Sequence, residues 1–379
     1  MGRTDLQVPD DAAPDREPHR GGARRARAGD RTRGREAPAA RPGLAAAFRP
    51  PWWGRNPHVQ TIWGPLFRRH RIRWRRERVA TPDGDFVDLD WADSARPDAP
   101  LLLVLHGLEG SSRSHYVVGL ARQALARGWR AVTLNFRSCS GELNRLRSFY
   151  HSGHTADLDE VVGMLAAREP GLRLGAVGVS LGGNVLLKWL GERQADVPGP
   201  VAGAVAISVP FDLASCAETL DRGFCRLVYT RNFLATMRAK VRLKAARDPG
   251  LREIVDGPLA LRARTFAEYD RAVTAPLNGF KDERDYWTRA SSAPYLSRIQ
   301  RPTLLVNALD DPIVPAGALP DLADLPPAVQ AQFVRRGGHA AFLEGRWPWR
   351  VESWAERRAV EFLAALVEGE AASRAAPFC

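Results

Sequence analysis

The chain has 379 residues, of which 45% are hydrophobic and 26% are charged, the balance of a globular protein with room for one large α/β domain. Its longest apolar runs, such as residues 100–105, are too short to span a bilayer, which argues against a membrane-spanning class. The four cysteines (Cys139, Cys216, Cys225 and Cys379) show neither metal-ligand spacing nor a disulfide framework. We therefore expect a reducing, cytoplasmic location and no metal site.

The net charge of +12 comes largely from two arginine-rich stretches, residues 16–41 and 68–78. One interpretation is contact with nucleic acid or an anionic membrane. The other, which we favour, is a solvated tail followed by a basic surface strand. We expect no nucleic-acid partner, and we leave open both peripheral contact with an anionic membrane and the oligomeric state.

Residues 1–45 are rich in arginine, alanine, proline and glycine and contain almost no large apolar side chains. Such a composition cannot bury enough surface to offset the entropy of ordering the chain. The sequence therefore predicts a disordered basic N-terminal tail over 1–45, followed by one folded domain over 46–379.

The folded part begins with the segment 51–63, where aromatic rings stand among turn-forming residues, and we predict an irregular segment packed over the domain. Residues 74–80 and 86–91 flank a Pro-Asp-Gly turn, which predicts a β-hairpin. Strand and helix patterns then alternate, which predicts a mostly parallel sheet with helices on both faces. The predicted strands include 101–105, 130–136, 201–209 and 332–335, and the predicted helices 116–127, 158–167 and 351–367.

This alternation stops between about 212 and 297, where the sequence is helical throughout. An insertion at this point of such a sheet commonly forms a lid over the substrate pocket. Its apolar and aromatic side chains fit plain packing and an acyl pocket equally well, so we predict a helical lid insertion without deciding between the two.

The most informative stretch is Gly178-Val-Ser-Leu-Gly182, which lies between an apolar run and a helical pattern. A G-x-S-x-G motif in this context predicts a nucleophile elbow, a strained turn that exposes the Ser180 hydroxyl and needs glycine on either side. The following helix directs its first amides at the same point, so we expect the Leu181 amide to form half of an oxyanion hole. A plain glycine-rich turn is the alternative, and the flanking pattern disfavours it.

The strand at 101–105 leads directly into His106-Gly-Leu-Glu-Gly110. Glycine in such a loop lets the backbone approach a substrate oxygen closely. We therefore expect the Leu108 amide to be the second oxyanion donor.

Two adjacent carboxylates, Asp310 and Asp311, follow the strand that begins after Pro302, and both qualify as the acid of a catalytic triad. We prefer Asp311, because it stands immediately before a Pro-Ile-Val-Pro turn, and we interpret Asp310 as a turn-capping carboxylate. His339 follows two glycines, as a base that must reach over a serine requires. The chain order Ser180, Asp311, His339 favours a catalytic role for all three.

His151 and His154 also stand close together in the sequence, but no cysteine or carboxylate lies at a matching helical spacing. We interpret them as a pair of hydrogen-bonding loop histidines rather than as metal ligands.

Several of these motifs occur together in one family, and the chain resembles the YheT-like branch of the α/β-hydrolases, which is related to eukaryotic ABHD-type lipid hydrolases. The resemblance covers roughly residues 48–365 and includes motifs that have no generic hydrolase role. The motifs are Asn56-Pro-His-Val-Gln-Thr61, His106-Gly-Leu-Glu-Gly-Ser111, Phe136-Arg137 with Cys139-Ser-Gly141, Tyr150-His-Ser-Gly153, Gly178-Val-Ser-Leu-Gly-Gly-Asn184, Thr274-Ala-Pro-Leu-Asn-Gly-Phe280, Asn307-Ala-Leu-Asp-Asp-Pro312 and Gly337-Gly-His339.

The resemblance implies an α/β-hydrolase fold and a serine esterase whose triad is Ser180, Asp311 and His339. It implies a small-molecule ester substrate, with lipid-derived esters among the candidates, and no cofactor. The sequence departs from the family at Ser138, where glycine is usual, and at His154, where an acidic residue is usual. Both departures bear on the pocket or on loop shape rather than on the triad.

Two other functions remain open from the sequence. An acyltransferase or a thioesterase would use the same triad with a different acceptor or leaving group. A basic membrane- or nucleic-acid-binding module with a vestigial site is a less favoured alternative, because the triad pattern is intact.

Overall fold

The computed structural model describes residues 48–368, so the predicted disordered tail over 1–45 lies outside the described residues. Eight strands form one sheet in the order β1-β2-β4-β3-β5-β6-β7-β8. These strands are β1 (Arg75–Ala80), β2 (Phe86–Ala92), β3 (Leu101–Leu105), β4 (Arg130–Asn135), β5 (Leu174–Val179), β6 (Val201–Ile207), β7 (Thr303–Ala308) and β8 (Val329–Val334).

The first two strands form the predicted hairpin, and β2 pairs antiparallel with β4. The strands from β3 to β8 all pair in parallel. In a parallel sheet, the carboxyl ends of the strands lie along one edge, where the connecting loops build ligand sites. The loops that follow β3, β5, β7 and β8 therefore meet at that edge.

The central strands are apolar along their whole length because helices cover both faces of the sheet. One face packs against α2 (His115–Ala126) and α12 (Trp354–Val367). The other packs against α3 (Ala156–Arg168) and α4 (Leu181–Arg193). The prediction of a mostly parallel sheet between two helical layers is confirmed.

The segment between β6 and β7 is helical, as the sequence predicts, and we call residues 213–298 the helical insertion. Its helices are α5 (Leu213–Leu220), α6 (Gly223–Cys225), α7 (Arg231–Arg247), α8 (Gly257–Arg262), α9 (Phe266–Tyr269), α10 (Ala275–Leu277) and α11 (Glu283–Ala290). A two-stranded ribbon of β9 (Leu343–Glu344) and β10 (Glu352–Ser353) precedes α12. Within residues 48–368, no helix combines the length and the apolar character needed to cross a bilayer.

The prediction of an irregular segment over 51–63 is wrong, because most of it belongs to a helix, α1 (Pro57–Phe67). The turn-forming residues there are a helix start: the Asn56 side chain accepts hydrogen bonds from the amides of His58 and Val59. Proline at the first helical position fits this start, since that position needs no amide donor. The helix packs over the domain, as expected of the segment.

Candidate active site

Ser180 lies on the sharp turn between β5 and α4, with φ 54° and ψ −123°, a conformation that residues with side chains rarely adopt. A Cβ atom on Gly178 would lie 2.4 Å from the carbonyl oxygen of Gly182. A Cβ atom on Gly182 would lie 2.4 Å from the carbonyl oxygen of Leu105. The turn therefore requires glycine at both positions, as the motif predicts.

The structure brings the three predicted triad side chains together. Nε2 of His339 lies 2.9 Å from Oγ of Ser180, and Nδ1 of His339 lies 2.8 Å from Oδ2 of Asp311. A carboxylate only accepts hydrogen bonds, so the imidazole proton belongs on Nδ1 and Nε2 is left to accept from the Ser180 hydroxyl. The Asp311 carboxylate is buried and also accepts from the amides of Ile313 and Val314, which fixes its direction.

The neighbouring carboxylate points elsewhere. Oδ1 of Asp310 accepts hydrogen bonds from the amides of Gly337 and Gly338, at 2.8 and 3.1 Å. Partial burial raises the pKa of Asp310, and these two amides act in the opposite direction. Asp310 is thus a capping carboxylate, but the turn that it caps is the loop that carries His339 rather than its own.

Helix α1 holds the same loop from the other side. Oγ1 of Thr61 accepts from the His339 amide at 2.9 Å, and Oε1 of Gln60 accepts from the Leu343 amide at 2.8 Å. Oγ of Ser208 accepts from the Ala340 amide at 2.9 Å. No pattern in the sequence assigns these three side chains to the site. The motif over residues 56–61 could have pointed to Gln60 and Thr61. It is typical of the family, although α/β-hydrolases in general do not need it.

The loop after β3 leaves one amide available beside Ser180. The Gly107 amide donates to the hydroxyl of Tyr116 at 2.9 Å, and the Glu109 amide donates to the hydroxyl of Tyr150 at 2.7 Å. The Leu108 amide, which lies between them, has no hydrogen-bond partner within residues 48–368.

The Leu181 amide is available for the same kind of contact. It belongs to the first residue of α4, where an amide has no acceptor within its own helix. Leu108, Leu181, Ser180 and His339 all line one cavity. Both predicted oxyanion donors are therefore placed at the site.

His106 fixes the start of this loop. Its Nε2 accepts from the Phe136 amide at 3.1 Å, so its Nδ1 carries the proton that bonds the Gly107 carbonyl at 2.8 Å. Complete burial lowers the pKa of His106 to about 4, which keeps the ring neutral.

An ion pair ties the helical insertion to the same loop. Nζ of Lys240, on α7, lies 2.7 Å from Oε1 of Glu109, and the Tyr150 hydroxyl lies 3.1 Å from the same oxygen. The side chains of Lys240 and Glu109 are 19% and 8% exposed, so the pair is largely shielded from water. Glu109 has φ 56°, a left-handed conformation that this pairing helps to hold.

A cavity of about 110 Å³ opens beside Ser180, and side chains of the helical insertion form much of its wall. The wall is mainly apolar and aromatic; it includes Leu213, Leu220, Phe233, Met237, Phe266, Tyr286, Trp287 and Ile313. One carboxyl, that of Asp270, also lies in it and accepts from Thr274 and from the Trp287 ring. Burial raises the pKa of Asp270 to about 7.

The two loop histidines differ in position. His151 lines the cavity, its Nδ1 accepts from the Gly153 amide at 3.1 Å, and burial lowers its pKa to about 3. His154 lies 3.6 Å from Asp157. Among the described residues, no three His, Cys, Asp or Glu side chains converge as a metal site.

Ser138, the other departure from the family, has φ 64°, which explains why glycine is usual there. Its hydroxyl donates to Asn144 at 2.6 Å. The residue therefore affects loop shape and not the cavity wall.

Comparisons with known proteins identify the family. A family model described as alpha/beta hydrolase fold matches residues 100–346. A protein of Escherichia coli (strain K12) named "Putative esterase YheT" is 38% identical over 83% of this chain and 92% of its own length. A protein of Mus musculus named "Phospholipase ABHD3" is 31% identical over 86% of this chain and 80% of its own length.

Among solved structures, the Pyrococcus furiosus esterase Pf2001 has a TM-score of 0.49 and 16% identity, covering 86% of this chain and 100% of that chain. The family match spans more than half of the chain, and the similarity to the bacterial and mouse proteins covers a still larger share of it. This chain therefore belongs to the α/β-hydrolase family, in the branch that contains YheT and ABHD3.

Proposed function

We propose that this protein is a serine hydrolase that cleaves carboxylic esters through an acyl-enzyme. His339 removes the proton of Ser180 as its Oγ attacks the ester carbonyl, and Asp311 orients the imidazole and stabilises its charged form. The amides of Leu108 and Leu181 bind the oxyanion of the tetrahedral intermediate, at about 3 kcal/mol per donor in comparable sites. The alcohol leaves with the proton from His339, and water then releases the acid by the same steps.

The observation that carries this proposal is the continuous hydrogen-bonded relay from Asp311 through His339 to Ser180, with distances of 2.8 and 2.9 Å. Further hydrogen bonds hold the Asp311 carboxylate and the loop that carries His339. Pre-positioning of this kind is what lowers the barrier of an acyl transfer.

We assign the cavity beside Ser180 to the acyl group and the helical insertion to the role of a lid. The cavity has a volume of about 110 Å³, and a water-sized group needs roughly 10–15 Å³ of such volume. The cavity therefore holds about eight groups of that size. An acyl chain of up to about eight carbons fits this space, and its methylenes gain from leaving water.

We also infer a reducing, cytoplasmic location. Cys139, Cys216 and Cys225, the cysteines within residues 48–368, all carry free thiols. Burial raises the pKa of Cys216 and of Cys139, which makes both poor nucleophiles.

A series of p-nitrophenyl esters of graded acyl length tests the reaction and the cavity together. We expect turnover from acetate to about octanoate and a steep fall in kcat/KM for longer chains. Assays with acyl thioesters of the same chain lengths test for a thioesterase, and assays with added alcohols test for an acyltransferase. Thioester cleavage without ester cleavage, or transfer to alcohol in preference to water, would replace the esterase assignment.

The Glu109–Lys240 pair provides a sharper test of the oxyanion loop. In Lys240→Met, Glu109 loses the cation that offsets its burial, and its loop must shift toward water. We expect kcat for a short ester to fall about 10- to 100-fold, with little change in KM. This is less than the effect of removing one oxyanion donor completely, because the Leu108 amide is displaced rather than lost. Lys240→Arg keeps the charge and is expected to recover part of the loss.

Arg242→Met, on the exposed side of the same helix, is the control for that variant, because it removes a cation without touching the loop. A Lys240→Met enzyme with unchanged kcat would show that the pair does not position Leu108.

A further inference from the structure

Large apolar side chains are exposed together on one surface around α1. They belong to two segments, 52–67 and 347–349, that are held against each other: the indole of Trp53 donates to the Gly345 carbonyl and that of Trp63 to the Pro348 carbonyl. The exposed members are Trp52 (66%), Leu66 (52%), Phe67 (55%), Trp347 (44%) and Trp349 (75%). We call these five residues the aromatic face. Ring contacts connect them further: Trp63 packs against both Trp53 and Phe67, and Trp347 stacks on Trp349. The exposed members therefore lie near one another.

A broad groove of about 1220 Å³ adjoins the aromatic face, and Phe67 and Trp349 line it. Five arginines line it as well, and three of them, Arg69, Arg122 and Arg350, form no ion pair within residues 48–368.

Most acidic side chains of the same groove already form ion pairs. Glu356 pairs with Arg68, and Glu344 pairs with Arg357, so Glu352 is the carboxylate left among the described residues of the groove. The groove therefore presents a positive surface beside exposed aromatic rings.

The basic run over residues 68–78 divides into two parts. Arg75, Arg76 and Arg78 pair with Asp93, Asp90 and Asp88, carboxylates on or just after β2. Those pairs belong to the hairpin and leave no free charge for a partner.

The earlier part of the run behaves differently. Arg69, Arg71 and Arg73 are exposed and form no ion pair within the described part of the chain, whereas Ile72 and Trp74 pack against the core. This alternation directs the unpaired arginines to solvent, directly after the end of α1.

We propose that the aromatic face and the arginines beside it form a docking surface for an anionic phospholipid membrane. Tryptophan is favoured at the boundary between headgroups and hydrocarbon, and arginine is attracted to anionic headgroups. Leu66 and Phe67, at the last turn of α1, gain only where an apolar phase is present. Duplex nucleic acid would engage the arginines but would leave these apolar side chains in water.

The docking surface is close to the proposed reaction centre, although it does not depend on the reaction. Thr61 bonds the amide of His339, and Phe67 follows six residues later on the same helix, about 9 Å along its axis. Phe224, which is also exposed, contacts His58 in the first turn of α1. A membrane bound here would lie beside the helix that supports the catalytic loop.

Sedimentation of the full chain with vesicles tests the proposal. We expect binding to mixed phosphatidylcholine–phosphatidylglycerol vesicles at least tenfold tighter than to pure phosphatidylcholine. The double variant Phe67→Ser/Trp349→Ser should lose at least tenfold of this binding, and so should Arg69→Glu/Arg350→Glu. All four side chains are exposed and line the groove, and turnover of a water-soluble ester reports that each variant is folded.

Leu243→Ser and Arg252→Glu, exposed residues of the helical insertion, are the matched controls and should bind vesicles as the unaltered protein does. Equal binding by the face variants and the controls would overturn the proposal. So would binding that the arginines alone support and that duplex DNA competes away, which would indicate a nucleic-acid surface. An enzyme inactive on every ester that still binds vesicles through this face would refute the proposed reaction and leave the docking surface standing.

Discussion

Replacing Ser180 with alanine is expected to reduce ester hydrolysis by roughly 10⁵- to 10⁶-fold, the scale seen when the nucleophile of a serine triad is removed. The substitution deletes the oxygen that lies 2.9 Å from Nε2 of His339 and changes nothing else in the wall of the site. Only one hydrogen bond is lost, so the free energy of unfolding should change by about 1 kcal/mol or less. Initial rates on a short p-nitrophenyl ester and a thermal melt measure the two effects.

A fluorophosphonate probe gives an independent measurement of the same serine. The unaltered protein should be labelled at Ser180, and Ser180→Ala should not be labelled. Ser297→Ala, at an exposed position that does not line the cavity, should retain both labelling and turnover. Undiminished hydrolysis by Ser180→Ala would end the serine-hydrolase proposal, and an unaltered protein that neither hydrolyses esters nor reacts with the probe would favour a binding module with a vestigial site.

The second large effect is expected from Asp311→Asn, with kcat lower by roughly 10⁴-fold in a folded protein. Asp311 accepts the Nδ1 proton of His339 at 2.8 Å, and an amide in its place can turn a donor toward that nitrogen and favour the wrong tautomer. The serine then loses its base although every other contact is retained. Steady-state kcat and the rate of fluorophosphonate labelling should fall together.

Asp310→Asn is the control for this experiment, because it changes the adjacent carboxylate in the same way. Its remaining carbonyl oxygen can still accept from the amides of Gly337 and Gly338, so a substantial share of activity should remain. We expect its main cost to be about 1 kcal/mol in the free energy of unfolding. If Asp310→Asn were the less active of the two, Asp310 would be the triad acid.

The sequence alone was sufficient for the features that are encoded locally. The elbow around Ser180, the loop from His106 to Gly110 and the alternation of strands and helices each depend on residues close together in the chain. Steric limits act over a few residues: a turn that would place a Cβ atom 2.4 Å from a backbone oxygen admits glycine only. The order of the candidate triad residues along the chain, serine then aspartate then histidine, is the order found in α/β-hydrolases and so supported that fold.

Tertiary structure decided which of several chemically equivalent groups face each other. Asp310 and Asp311 have the same side chain, and the direction in which each leaves β7 sends one to His339 and the other to the loop that carries it. The availability of the Leu108 amide depends on the hydroxyls of Tyr116 and Tyr150, residues outside the loop that accept from the amides on either side.

The same holds for α1 and for the basic run. Thr61 acquires a role in the site only because α1 packs against a loop 278 residues away in the sequence. The arginines of the run are alike in the sequence, but those beside the carboxylates of β2 form ion pairs, whereas Arg69, Arg71 and Arg73 form none within residues 48–368. Hydrogen bonds and ion pairs depend on distances of about 3 Å between atoms, and such distances between residues far apart in the chain exist only after folding.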